Sequence, residues 1–238
     1  MEKELTIVIP CKNEEENIGR LLEEISLQGV GSTEIILADA NSTDETVQEA
    51  KRVASGLGLK LKVAPGGLPG KGRNQGAFFA KTKYILFIDA DVTFTNKFDL
   101  EECLNKVKEG EYDLMSSTPL YRGQRNIKAS LMFLLNKIGT VLLSKTDPFA
   151  IGAFTLVKTD KFREIGGYDE SLKHTEDWMF SKQISPSKFL LIPDLITQDD
   201  RRFIKFGYWN MILLIFKNWK NRNNIDHFRK EAGYWKHY

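Results

Sequence analysis

The chain has 238 residues, 42% of them hydrophobic and 28% charged; that is enough for one sizeable α/β domain with its own core and unlike a disordered or fibrous protein. The formal net charge of +2 points to no nucleic-acid partner, and the basic excess is local: Arg201 to Tyr238 holds nine Lys or Arg against two acids, Asp226 and Glu231. Cys11 and Cys103 stand far apart, outside any C-x-x-C pair and away from the three His, which argues against a zinc site or disulfide framework and for two reduced thiols in a cytoplasmic protein.

The chain opens without a leader pattern, Met1–Glu4 leading straight into the apolar run Leu5–Pro10, a buried strand closed by proline. Apolar residues at Ile18, Leu21, Leu22 and Ile25 give Asn17–Gln28 helical spacing. Glu34–Ala38 reads as a second strand, followed by a helix capped by Thr43 or Asp44 and ending near Ser55. Leu59–Ala64 is a third strand, and after the Gly- and Pro-rich Pro65–Gly72 a helix is predicted from near Arg73. Tyr84–Ile88 is a fourth strand and runs directly into Asp89-Ala90-Asp91. Strands alternating with helices imply right-handed βαβ units and a mostly parallel central sheet with helices on both faces.

Past residue 100 the alternation weakens. Helix is predicted over Leu100–Glu109, strand over Tyr112–Ser117, a long apolar helix over Ile127–Leu143 and strand over Ile151–Val157. Short helices follow at Lys161–Ile165 and Thr175–Ser185, then a last strand, Phe189–Ile192. The organisation expected is a catalytic domain over residues 1–202 and an amphipathic, basic helical tail over 203–238. Leu131–Leu143 and Phe203–Phe216 are the longest apolar stretches, and both fall short of the roughly 20 residues a spanning helix needs.

In an open parallel sheet, ligands bind beyond the carboxyl ends of the strands. Polar residues collect there: Pro10-Cys11-Lys12-Asn13-Glu14, Asp39-Ala40-Asn41-Ser42-Thr43-Asp44, Gly70-Lys71-Gly72-Arg73-Asn74-Gln75-Gly76 and Asp89-Ala90-Asp91. Any one of these suits a turn; four on one edge suit a site. Two carboxylates after an apolar strand are costly to bury without a cation, and oxygen donors suit Mg²⁺ or Mn²⁺ bridging to phosphates. A polar turn with one capping Asp is the alternative. The Gly70–Gly76 segment is neither G-x-G-x-x-G nor G-x-x-x-x-G-K-[ST], which argues against a dinucleotide-dependent dehydrogenase and a P-loop ATPase. Lys71 and Arg73 there fit phosphate contacts or a solvated basic turn. Thr175-Glu176-Asp177 opens a helix, where acids serve either as caps or as a general base.

The ordered set P-C-K-N-E, A-D-A-N-S-T-D-E-T, G-K-G-R-N-Q-G, F-I-D-A-D, G-A-F…G-G-Y-D-E and T-E-D-W resembles family 2 glycosyltransferases of the GT-A fold, over about Thr6 to Asp200. The resemblance implies an inverting transferase that moves a sugar from a UDP- or GDP-sugar, assisted by Mg²⁺ or Mn²⁺. It implies that Pro10 and Glu14 line the nucleoside pocket and that Asp39 binds the base. Arg73 matches the basic residue of the A-R-N element. Asp89 and Asp91 match the D-x-D that holds ribose and metal-diphosphate, with Asp91 the more direct ligand. Gly152, Ala153 and Phe154 match the segment lining donor sugar and acceptor, and Asp177 matches the catalytic base, with Glu176 as runner-up. Ala40 departs from the second Asp of many relatives. Gln198–Arg202 departs from the Q-x-x-R-W of processive synthases, its aromatic residue displaced to Phe203, while Arg201 and Arg202 retain the fork geometry that suits a diphosphate.

Two other classes share features of this pattern. A nucleotidyltransferase making nucleotide-sugars would carry a Gly-rich, basic loop after strand one, where this chain is acidic; a non-catalytic nucleotide-sugar-binding module would not need Asp89, Asp91 and Asp177 together. The acceptor expected is a glycan, a small molecule or a polyprenyl or other lipid. Residues 203–220 mix large apolar side chains with flanking Lys; with Ile127–Leu143 they suit contact with the inner face of the cell membrane, or else core packing or a homodimer.

Overall fold

The computed structural model describes residues 4–29, 33–97, 99–123 and 126–231. Strands β1 (Leu5–Cys11), β2 (Glu34–Asp39), β3 (Lys60–Pro65) and β4 (Tyr84–Ile88) are parallel, in the order β3-β2-β1-β4. The apolar run of β4 is buried throughout and that of β1 almost so, as a parallel sheet covered on both faces requires. One core holds α1 (Glu15–Ser26), α2 (Thr46–Gly56) and α4 (Leu100–Glu109) against the sheet; a second, on the other face, holds α3 (Pro69–Phe78), α6 (Thr159–Ile165) and α7 (Glu176–Ser181). β3 is the edge strand, and its exposed Lys60 and Lys62 discourage edge pairing with another chain.

The sheet continues as β8 (Phe154–Lys158), antiparallel to β4, then β6 (Leu114–Ser116) and β9 (Phe189–Leu191), giving seven strands in the order β3-β2-β1-β4-β8-β6-β9. A small sheet joins β5 (Thr93–Phe94), β10 (Ile196–Gln198) and β7 (Leu120–Tyr121). None of these three short strands is foreseen in the sequence, because two or three residues carry no period and their partners lie up to about a hundred positions away. Phe189–Leu191 is thus not the last strand.

Helix boundaries differ in instructive ways. α2 starts at Thr46, because the Asp44 carboxylate accepts from the Thr46 amide at 3.1 Å as a turn ahead of the helix and does not cap from the position before it. α3 starts four residues before Arg73, with Pro69 in its first turn, where the missing N–H costs nothing. A Cβ on Gly76 would lie 2.2 Å from Val8 Cγ1, and one on Gly72 would lie 3.4 Å from Pro10 Cβ. These glycines, one turn apart, let α3 lie directly on β1; that is the physical use of the glycine-rich segment. α4 is started by a reciprocal capping box between Asp99 and Glu102.

Helix α5 (Ile127–Leu143) matches the sequence expectation, yet only Ala129, Met132, Phe133 and Thr140 of it are buried. In the C-terminal segment, α8 (Arg201–Phe206), α9 (Tyr208–Lys220) and α10 (Ile225–Phe228) follow, and α9 buries only Met211. The expected division between residues 202 and 203 falls inside α8, and the last seven residues of the expected tail lie outside the described residues.

Candidate active site

The strand order reverses between β1 and β4, each of which has its next strand in sequence or sheet on the opposite side. This is the switch point at which a parallel sheet opens a crevice at its carboxyl edge. Glu14, just before α1, and Asp91, just after β4, face each other across it. The Arg201 guanidinium lies 3.3 Å from Glu14 and 3.4 Å from Asp91. Gln198 Nε2 donates to Asp91 Oδ1 at 2.8 Å, a contact made possible because β10 pairs with β5 immediately beyond Asp91. Burial pushes the Glu14 carboxyl above its ordinary range and Asp91 adds to this, while Arg201 opposes. Burial works against the Arg201 charge, but Glu14, Asp199 and Asp91 outweigh it and raise its pKa.

Arg73 forms the second node. It is 2% exposed and donates to Glu176 Oε1 at 2.7 Å, Asp89 Oδ1 at 3.0 Å and the Gly152 carbonyl at 3.2 Å. The Gly152 amide in turn donates to Asp177 Oδ2 at 2.8 Å, and the Trp178 amide donates to Asp177 Oδ1 at 2.8 Å. Both oxygens of Asp177 are therefore held by backbone N–H groups. Thr175, before this pair of acids, has φ 64°, a left-handed conformation that a β-branched residue rarely adopts. Its Oγ1 accepts from Asn218 of α9 at 3.2 Å, which ties the C-terminal helices to this turn. Dense surroundings push the Asp177 carboxyl up to about 6, with Glu176 adding to the effect of burial and Arg73 opposing it. Burial likewise raises Asp89, against Arg73. A carboxyl titrating near neutrality can take or give a proton under ordinary conditions.

Both nodes border one cavity of about 990 Å³. Of the residues singled out in the sequence, Pro10, Glu14, Arg73, Asp89, Asp91, Gly152, Ala153, Asp177 and Arg202 line it. Arg201 reaches it through Glu14 and Asp91. Besides Arg201, three do not line it. Phe154, the first residue of β8, is fully buried in the core, while Ala153 in the turn just before it borders the cavity. Lys71 is on the exposed side of α3. Asp39 sits at the rim, its carboxylate accepting from the Ser42 amide and hydroxyl, while its neighbour Ala40 lines the cavity. Arg73 does border the cavity, but both of its terminal nitrogens donate to protein acceptors, and only its buried Nε is left without one. Sequence reasoning missed Gln198 as the partner of Asp91 and Glu176 as the partner of Arg73; each lies about a hundred residues from its partner, with no local signal. It also missed that α5 and α9 form cavity wall.

Among the described residues, no group of three or more His, Cys, Asp or Glu is arranged to hold a metal ion. The donor set at Asp89 and Asp91 still suits Mg²⁺ or Mn²⁺: both are hard oxygen ligands, and such ions typically take one or two carboxylates and complete their shell with substrate phosphates and water.

A family model described as Glycosyl transferase family 2 matches residues 6–166. The chain belongs to glycosyl transferase family 2. This family 2 chain is 32% identical over 182 residues to the 4,4'-diaponeurosporenoate glycosyltransferase of Staphylococcus aureus (strain USA300), covering 72% of the chain and 48% of that protein. It thus spans about half the length of the curated relatives it matches. Among solved structures, S. aureus TarS 1-349 in complex with UDP aligns with a TM-score of 0.63 at 20% identity, over 89% of this chain and 64% of that one. The mannosyltransferase PcManGT from Pyrobaculum calidifontis, in complex with GDP-Man and Mn2+, aligns with a TM-score of 0.66 at 20% identity, over 87% of this chain and 59% of that one. These likenesses show the GT-A fold.

Proposed function

We propose that the chain transfers a sugar from a UDP- or GDP-sugar to an oxygen of an apolar acceptor, in a single displacement that inverts the anomeric carbon. The observation that carries this reading is that Asp177, with both oxygens fixed by backbone amides, lines the same cavity as Asp89 and Asp91. Asp177 takes the acceptor proton as the acceptor oxygen bonds to the anomeric carbon. The bond from that carbon to the diphosphate breaks, and its electron pair leaves with the diphosphate. Asp91 and Asp89 would hold Mg²⁺ or Mn²⁺, which when bound would supply neutralising charge at the diphosphate. Arg201 and Arg202 add to that charge, Pro10 and Glu14 border the nucleoside, and Asp39 at the rim accepts from the base. Gly152 and Ala153 border the sugar. Arg73 serves as a positioning residue, holding Asp89, Glu176 and the Gly152 carbonyl in one arrangement.

Two findings support an apolar acceptor. The S. aureus relative is named for a carotenoid acid, 4,4'-diaponeurosporenoate. In this chain α5 and α9 leave large apolar side chains in the open: Leu131, Leu134 and Ile138 are 46–53% exposed and Trp209 is 70% exposed. No helix among the described residues is long and apolar enough to cross a membrane. The reading is therefore of helices lying in the membrane interface, with Lys217 and Lys220 meeting anionic headgroups, and of a tail that works as one unit with the domain before it.

Calorimetric titration with UDP or GDP, with and without Mn²⁺, tests the donor side on wild type and Asp91→Ala. The expected result is metal-dependent binding of one nucleotide that Asp91→Ala weakens by about 1.5–3 kcal/mol, the worth of a charged contact. Equal affinity under all four conditions removes the metal role.

A further inference from the structure

The 990 Å³ cavity lies at the upper end of the roughly 300–1,000 Å³ typical of ligand sites, and its polarity is divided. One end carries Asp89, Asp91, Arg73 and Asp177; the residues that α5 and α9 contribute to the other end include no ionisable side chain. The α5 wall runs from Met132 to Leu143, roughly 16 Å of helix at 1.5 Å per residue. The two helices meet at their N-terminal ends, where Asn126 Nδ2 donates to Tyr208 Oη at 2.8 Å. Leu135, Leu142 and Phe216 line the cavity and are also 53–61% exposed, so its mouth is apolar and opens onto the outer faces of α5 and α9. Partway along, Gly139 borders the cavity, and a Cβ built on it meets nothing within 4 Å.

From this arrangement we infer that the space between α5 and α9 is a channel for a single long apolar chain, whose polar end reaches Asp177 while its body passes Gly139 and leaves through the apolar mouth. A mostly apolar wall, with Asn136, Thr140 and Asn218 its only polar residues from α5 and α9, matches an amphipathic acceptor end for end better than it matches a sugar acceptor. The inference rests on the glycosyltransferase reading for what happens at the polar end, and on the cavity itself for the apolar end.

Binding of the polyene fatty acid cis-parinaric acid, whose fluorescence rises in apolar surroundings, tests it on the full chain. Wild type is expected to give a saturable rise. Gly139→Trp, at a position where an added Cβ meets nothing within 4 Å, should weaken binding by about tenfold or more, since excluding about two methylenes suffices for that. Ile215→Glu, which puts a charge into the α9 wall, should weaken it likewise and decides the matter if the Trp variant folds poorly. Phe78→Ser, removing an 81% exposed apolar residue outside the cavity, should bind as wild type does. No binding by wild type, or wild-type affinity in folded Gly139→Trp and Ile215→Glu, overturns the channel. Nucleotide titration on the same samples separates the two ideas: failure of wild type to bind UDP or GDP would count against the transferase reading, whatever the fatty acid does.

Discussion

Residues 5–92 and residues 99–228 use apolar side chains in opposite ways. In the first region they are spent on the interior: Ile7, Ile9, Ile35, Leu37, Leu86 and Phe87 are all fully buried, and what remains at the strand ends is polar. In the second region α5 and α9 keep much of theirs outside, and their exposed apolar residues flank the cavity mouth. The first region has the makings of a rigid donor platform, built by parallel strands whose order reverses at β1. The second brings Glu176, Asp177 and Gly152 to that platform from segments with short strands and short helices. A rigid element fixes geometry, and a less buried one leaves room for a bulky acceptor. Arg73 joins them, reaching from α3 to Asp89 on one side and to Glu176 and Gly152 on the other.

Division of labour between the regions can be broken most visibly at Asp177. Asp177→Asn keeps the shape and removes the basicity, so kcat should fall by roughly 10²–10⁴-fold while donor affinity, measured by calorimetry, stays near wild type. Since the working form is the carboxylate and its pKa is raised to about 6, wild-type kcat should climb as pH rises through that value. Because the folded chain binds this proton more tightly than the unfolded one, Asp177 also contributes stability that is complete below the ordinary carboxylate range and is lost as pH rises through about 6. Near-normal turnover in Asp177→Asn would move the base elsewhere, with Glu176 next in line.

Arg73→Met tests the joint. It leaves Asp89 and Glu176 without their buried cation, and loss of one partner of such a pair typically costs about 3–5 kcal/mol, read as a lower urea midpoint. A loss below about 1 kcal/mol would mean that packing, not the ion pairs, holds the two regions together. The smallest effect is expected on the outer face of α5. Leu134→Ser should change stability by no more than about 0.5 kcal/mol, yet reduce flotation with anionic liposomes; a large loss of stability would show that α5 is packed like the first region after all.

The first region was largely legible in the sequence because its signals are local. Apolar runs such as Leu5–Pro10 and Tyr84–Ile88 are short, uninterrupted and bounded by turn residues, so β1 and β4 emerge nearly at their observed bounds. The site beside them was partly legible: Asp89, Asp91 and Asp177 stand out by motif and do share a cavity. What the sequence could not supply is the commitment of each polar group. Arg73 looks like a phosphate ligand until Glu176, far along the chain, takes its guanidinium. Phe154 looks like a lining residue by position, and only its place on β8 sends it into the core. The α5 and α9 sequences predict helices but not where those helices lie, since an apolar face is written the same way whether it meets a core, a lipid or a ligand.

The contact between Gly76 and Val8 bears on how a saturation-mutagenesis map of this chain would look. With a Cβ only 2.2 Å from Val8 Cγ1, every replacement at position 76 must lift α3 from the sheet by something on the order of an ångström before atoms reach ordinary contact. Arg73 rides on the same helix, and its bonds of 2.7 and 3.0 Å to Glu176 and Asp89 do not survive such a lift, since hydrogen bonds of this kind end near 3.2 Å. Position 76 would then score as intolerant as the acids themselves, although it never borders the cavity. Read without the fold, such a map would add a glycine to the list of groups doing chemistry; read with it, the same score measures how closely one helix must lie on one strand for distant carboxylates to keep their place.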